Sequence, residues 1–164
     1  MIKNIVIDSI LLLILCILQQ YAFSRLVIFG AMPDVVTIFV AFTALRYGQK
    51  QGTTFGFAAG IVTGILSGNI GIETLSKTIE GFIAGYFHIP EDSHASGLQK
   101  KQMFYKGVFL ASLTGRILYT LTLNVLSLPT AWHIAYSIGL ATLLTMILAV
   151  LSYQLFLKKI LAKK

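Results

Sequence analysis

The sequence predicts an all-α integral membrane protein with about six transmembrane helices. Hydrophobic residues make up 56% of the 164 residues, and charged residues only 12%, compared with about 25% in soluble domains. The apolar residues form long uncharged runs, and most Lys and Arg residues lie in short clusters between the runs. A soluble globule could not cover this much apolar surface with polar side chains, so the pattern indicates a lipid bilayer.

Six apolar segments account for most of the chain, which we treat as one polytopic domain, residues 1–164. A spanning helix needs about 20 apolar residues. The predicted spans cover about residues 5–23, 33–47, 53–68, 72–88, 103–127 and 131–157. The first is interpreted as a retained helix rather than a signal peptide, because Asp8 interrupts it and no small-residue cleavage site follows. Tight turns are predicted at 69–71, after the third span, and at Leu128 and Pro129, after the fifth.

The basic residues predict that both termini are cytoplasmic. An even number of spans places both ends on one side, and cytoplasmic loops carry an excess of Lys and Arg. With the termini inside, Arg25 is the only basic residue of the outer loops. The inner loops and ends hold Lys3, Arg46, Lys50, Lys100, Lys101, Lys106, Lys158, Lys159, Lys163 and Lys164. We therefore predict a multi-pass protein of a cytoplasmic membrane, whose basic residues can attract anionic membrane lipid and are not gathered as a nucleic-acid site requires.

Glycines recur every fourth residue through the third and fourth spans. They are Gly52, Gly56, Gly60, Gly64 and Gly68, followed by Gly81 and Gly85. Positions four apart are neighbours on one helix face, so these glycines form a groove where another backbone can approach closely. The spacing predicts a helix-packing surface, filled either by another helix of the same chain or by the single helix of a partner.

Four ionisable residues fall inside the predicted spans, namely Glu73, Lys77, Glu80 and Arg116. Each costs at least about 2.5 to 3.5 kcal/mol in the bilayer centre and should therefore face protein and find a partner. Similar depth in neighbouring spans predicts that Glu80 pairs with Arg116, directly or through water. The i,i+4 spacing allows Glu73 to pair with Lys77. The alternative is a proton or ion relay, which also needs acids inside the membrane.

No catalytic constellation is found in the sequence. It contains no P-loop, HExxH, GxSxG or paired-cysteine motif, and Cys16 is its only cysteine. Asp8 and Asp34 lie near predicted span ends, where water is reachable, so no special role is assigned to them. We therefore predict no enzymatic activity, no metal site and no cofactor.

Several of these features together resemble the MreD family of bacterial rod shape-determining membrane proteins. They are Pro33 and Asp34 opening the second span, the glycine-rich third span, the turn at 67–71 and the lysine-rich tail. The resemblance implies a non-enzymatic scaffold of the cell-elongation (rod) complex that helps to organise peptidoglycan synthesis and cell shape. Such a scaffold binds the single-span protein MreC, and through it MreB, RodA and a penicillin-binding transpeptidase. Many family members carry an acid where this chain has Gly64.

The MreD family is also similar in fold to the substrate-binding subunits of energy-coupling-factor vitamin transporters, which supplies an alternative function. The scaffold hypothesis predicts a glycine groove filled by helices, charges consumed by pairing and no outer pocket. A vitamin-binding subunit would build a pocket from the outer loops, which here are short. The polar or aromatic residues available there are Arg25, Asn69, Trp132 and His133.

Overall fold

The protein was analysed as a computed structural model that describes residues 2–25, 27–28, 31–90, 95–122 and 130–157. Within these residues the prediction of an all-α fold is confirmed, because they form six α-helices and no β-strand. The helices are α1 (Ile2–Tyr21), α2 (Val35–Tyr47), α3 (Gln49–Ser67), α4 (Ile70–Gly85), α5 (Gly97–Thr122) and α6 (Thr130–Ser152). A short 3-10 turn (Phe23–Arg25) follows α1, and a π-helical segment (Tyr153–Leu157) continues α6.

Two segments are long and apolar enough to cross a membrane. They are Ile5–Arg25, with a mean hydropathy of 2.1, and Ile138–Leu155, with a mean hydropathy of 1.9. The α2 helix is apolar but shorter. The other predicted spans overlap α3, α4 and α5, and their passage through a membrane stays a prediction. The end of the predicted fifth span, at 123–127, and the predicted break at Leu128 and Pro129 lie outside the described residues.

The α2 helix is the centre of the bundle and contacts α1, α3, α4, α5 and α6. Every residue from 36 to 45 is buried, as expected for a helix that is apolar on all sides. Asp34 caps its first turn, because its side chain accepts a hydrogen bond of 2.9 Å from the backbone N–H of Thr37. The cap therefore places an acidic side chain at the N-terminus of α2, where the first four backbone N–H groups have no acceptor within the helix.

The connections on either side of α3 are shorter than the sequence suggested. Gly48 alone separates α2 from α3, with a φ of 93°. Gly68 ends α3 in the left-handed conformation, with a φ of 79°, and α4 begins directly after Asn69. The tight turn predicted at 69–71 therefore lies at Gly68 and Asn69, and Gly71 is already part of α4. Glycine adopts a positive φ without steric cost, which permits both sharp connections.

At the opposite end from this turn, a buried acid ties α1 to α2. Asp8 is only 6% exposed; its Oδ2 atom accepts a hydrogen bond of 2.6 Å from the Tyr47 hydroxyl and lies 3.5 Å from Nη1 of Arg46. Asp8 was expected to need no special role because of its place near a span end. Instead, the acid and both of its partners converge between the two helices, where a charged group must be paired.

Candidate functional site

The glycines of α3 lie against the backbone of α4. A Cβ atom added to Gly60 would lie 2.7 Å from the carbonyl oxygen of Glu73, and one added to Gly64 would lie 2.5 Å from the Cα of Ile70. Contacts under 3.0 Å are essentially never made by real Cβ atoms. Only glycine therefore permits this approach of the two helices, and the groove predicted from the sequence is occupied by a helix of the same chain.

The same contact continues along the rest of the two helices. A Cβ atom on Gly81 would lie 2.7 Å from the carbonyl carbon of Gly52, and one on Gly85 would lie 2.7 Å from the Cβ of Gln49. We call this contact the glycine seam; its members are Gly52, Gly56, Gly60, Gly64, Gly81 and Gly85. Gly68 was predicted to be part of the packing surface, but no atom lies within 4 Å of its Cβ position. Its role is the helix cap described above.

Four polar residues form a buried charge cluster where α4 passes the start of α2: Asp34, Thr37, Lys77 and Glu80. Lys77 is 5% exposed and Glu80 3% exposed. The Lys77 ammonium group donates to Oδ2 of Asp34, to Oε2 of Glu80 at 3.0 Å and to the Thr37 hydroxyl at 2.7 Å. The Thr37 hydroxyl in turn donates to Oε2 of Glu80 at 2.6 Å. All three of the ammonium group's donors are thus satisfied.

These partners differ from those predicted for the intramembrane charges. Lys77 binds Asp34 and Glu80, and not Glu73, because it points towards the start of α2. Glu80 correspondingly faces Lys77, and not Arg116. The Arg116 guanidinium group donates through Nη2 to the carbonyl oxygen of Met32 at 2.9 Å. Both predicted pairs join residues of α4 and α5 only. The acid that pairs with Lys77, Asp34, instead comes from the start of α2.

Asp34 and Gly115 are the residues that the sequence interpretation missed. Asp34 is 9% exposed and forms an ion pair with Lys77, although it was assigned no role. A Cβ atom on Gly115 would lie 2.6 Å from the Cδ of Glu80, so this glycine of α5 leaves the space that the Glu80 carboxylate occupies. The signal available for Asp34 was its position as a helix-capping residue before an apolar run, and no comparable signal marked Gly115.

A polar cavity of about 290 Å³ adjoins the buried charge cluster. It lies at the end of the bundle where α1 and α3 end and α4 begins, which the predicted orientation places outside. Its wall includes Gln19, Gln20, Ser67, Glu73, Arg116 and Tyr119, and its floor includes Asp34, Lys77 and Glu80. The scaffold hypothesis predicted no pocket on this side, and the structure contains one. The cavity is therefore the main candidate for ligand binding.

The described residues offer no group of three or more His, Cys, Asp or Glu side chains that could hold a metal ion. The cavity offers hydrogen-bonding groups and charges of both signs. No family model, no curated protein and no solved structure matches this chain. The resemblance to the MreD family therefore stays a prediction that depends on the sequence motifs.

Proposed function

We propose that this protein is a non-enzymatic, multi-pass scaffold of the rod complex in a bacterial cytoplasmic membrane. The apolar surface of α1 supports a membrane location. Val6, Ile10 and Ile14 are 52%, 55% and 53% exposed, respectively, and only 17% of the apolar window that begins in α1 is buried. Soluble monomers rarely expose a contiguous apolar surface of this extent, whereas lipid tails or another helix would cover it.

The observation that carries the scaffold proposal is an apolar cleft between α1 and α3. It has a volume of about 320 Å³ and includes Leu12, Leu13, Thr54, Ala58 and Val62. Thr54 and Ala58 are exposed and lie one turn apart on α3. Small residues at this spacing allow close approach of a second transmembrane helix. Because α4 already fills the glycine seam, this cleft is the surface that we propose for the single helix of MreC, and through it for MreB, RodA and the transpeptidase.

The test is copurification of MreC with the protein from its own cells in mild detergent. Ala58→Leu fills the cleft, and since overpacking a contact costs about 1–3 kcal/mol, we expect about 5-fold to 150-fold less MreC per molecule. Gly139→Leu is the matched control, because Gly139 is exposed on α6 and, among the described residues, no atom lies within 4 Å of its Cβ position. Equal MreC recovery with both variants would contradict the proposed surface.

A second candidate function, capture of a small molecule as the binding subunit of a transporter, is favoured by the polar cavity. Its volume of about 290 Å³ is near the lower end of the range for small-molecule sites. Native mass spectrometry of the purified protein tests this candidate directly. A stoichiometric small molecule that copurifies in place of MreC would favour ligand capture over the scaffold.

A further inference from the structure

The cavity wall contains two residues of opposite charge, Glu73 and Arg116, that are not part of the buried charge cluster. Among the described residues, neither the Glu73 carboxylate nor the Arg116 guanidinium group belongs to an ion pair. Glu73 has the Thr63 hydroxyl 3.4 Å from its Oε2 atom, and Arg116 donates to the Met32 carbonyl group. A guanidinium group has five N–H donors, and the bond to Met32 is the one that Arg116 donates among the described residues, which leaves donors that a ligand can use. Both residues line the same cavity and are of intermediate exposure.

Apart from the buried charge cluster in its floor, the remainder of the cavity is lined by uncharged residues, most of them polar. Gln19 uses its amide to bind the backbone of Pro33 and Val35, and Gln20 binds the carbonyl oxygen of Leu66. The Ser67 hydroxyl is buried and has no hydrogen-bond partner among the described residues. Glu73 and Arg116 also retain capacity for hydrogen bonds. Water or a polar ligand can bond to these three groups, whereas an apolar ligand would leave them unsatisfied, which is costly for buried polar groups.

Charge balance indicates which end of a ligand lies where. In the floor of the cavity, two carboxylates face one ammonium group, so Asp34, Lys77 and Glu80 together carry a formal charge of −1. An ionised Glu73 adds a second negative charge, and among the described residues that line the cavity Arg116 is the cation outside the buried ion pairs, so it can meet an anion. A ligand cation is therefore favoured near Glu73 and the floor, and a ligand anion is favoured near Arg116.

We propose that the cavity binds a small zwitterion, which carries an ammonium group and an anionic phosphate or carboxylate group in one molecule. Glu73 binds the ammonium group and Arg116 binds the anion, for which its planar fork of donors is well suited. This inference rests on the second proposed function, ligand capture, and does not depend on the scaffold. Two sources supply such a ligand: the phosphoethanolamine headgroup of a membrane lipid, or a free amino acid.

The full-length protein in nanodiscs of phosphatidylglycerol is the material for the test. In one arm, phosphatidylethanolamine is added and native mass spectrometry counts the lipids retained. In the other arm, glycerophosphoethanolamine and glycine are titrated calorimetrically, with ethanolamine and glycerol 3-phosphate as probes that carry charge of one sign only. We expect at least one zwitterion to bind about tenfold or more tightly than either of these two probes, because a hydrogen bond to a charged group is lost with each. If phosphatidylethanolamine is retained and the soluble zwitterions do not bind, the site is a lipid headgroup site. If glycerophosphoethanolamine or glycine binds, the site accepts free solutes.

Substitutions that remove one charge each separate the two contacts. Glu73→Gln should remove the advantage of the zwitterion over glycerol 3-phosphate, and Arg116→Gln should remove its advantage over ethanolamine. Lys106→Gln, which removes a charge from an exposed position of α5, should change neither. Binding of ethanolamine or glycerol 3-phosphate as tight as that of the zwitterions would overturn the inference, as would zwitterions that fail to bind the wild-type protein in both arms. Ligand capture itself would survive these results if a molecule of different chemistry copurified.

Discussion

Replacing Lys77 with Met tests the buried charge cluster most directly. The ammonium group neutralises two carboxylates, and Asp34 and Glu80 are only 9% and 3% exposed. Met is similar in length and apolar, so Lys77→Met preserves packing while it leaves both carboxylates without their cation. Removing one partner of a buried ion pair costs about 3–5 kcal/mol because the remaining charge is uncompensated. This loss is a large fraction of the roughly 5–15 kcal/mol that stabilises a typical domain.

The measurement is the free energy of unfolding by SDS in mixed micelles, with Lys106→Met as a control at an exposed position of α5. The triple variant Asp34→Asn, Lys77→Met, Glu80→Gln should recover much of the loss, because it removes the charges together. A free energy of unfolding of Lys77→Met within about 0.5 kcal/mol of the wild type, the usual range of surface substitutions, would refute the assignment of this cluster as a buried ion-pair network.

Three further substitutions test contacts between the helices. Gly60→Leu should lower the free energy of unfolding by about 3 kcal/mol or more through overpacking, whereas Gly139→Leu should have little effect; similar SDS unfolding curves for the two variants would contradict the glycine seam. Gly115→Ala should cost about 1–3 kcal/mol because the new methyl group meets the Glu80 carboxylate, and an unchanged melting temperature in detergent would count against that contact. Asp8→Asn should cost about 1–2 kcal/mol by weakening a charge-assisted hydrogen bond between α1 and α2, measured by the same unfolding assay; no loss would show that this bond contributes nothing.

The helical class could be predicted because it depends on local sequence. Long apolar runs separated by short polar segments predict helices without any knowledge of how the helices pack. The described residues form helices at these positions. The fourfold glycine spacing likewise defines a helix face without knowledge of the partner. What the spacing could not give is the identity of that partner. The short connection at Gly68 and Asn69 makes α4 the neighbour of α3, and the backbone geometry of this turn is not readable from composition.

The partners of the charges could not be predicted, because they are distant in sequence. Lys77 lies 43 positions from Asp34, and only the three-dimensional arrangement of α2 beside α4 brings them together. Counting depth along α4 and α5 favoured Arg116 for Glu80, yet depth does not specify the direction of a side chain. The cavity was missed for a related reason, since an empty volume arises from the way in which helix ends diverge and leaves no pattern in the residues that surround it.

The glycine seam and the charges of the cavity involve some of the same residues of α4. Gly56 and Gly60 contact the backbone of Lys77 and Glu73 themselves, because Cβ atoms at these glycines would lie 3.0 Å from the Lys77 carbonyl carbon and 2.7 Å from the Glu73 carbonyl oxygen. Part of the close approach of α3 to α4 therefore occurs at residues whose side chains form the floor and wall of the cavity. Backbone contacts are stiffer than contacts between flexible side chains, so the seam fixes the backbone positions from which the side chains of Lys77 and Glu73 extend. The seam continues along α4 to Gly81 and Gly85 and holds the two helices together over their length, and its contacts at Glu73 and Lys77 couple this helix packing to the geometry of the charges.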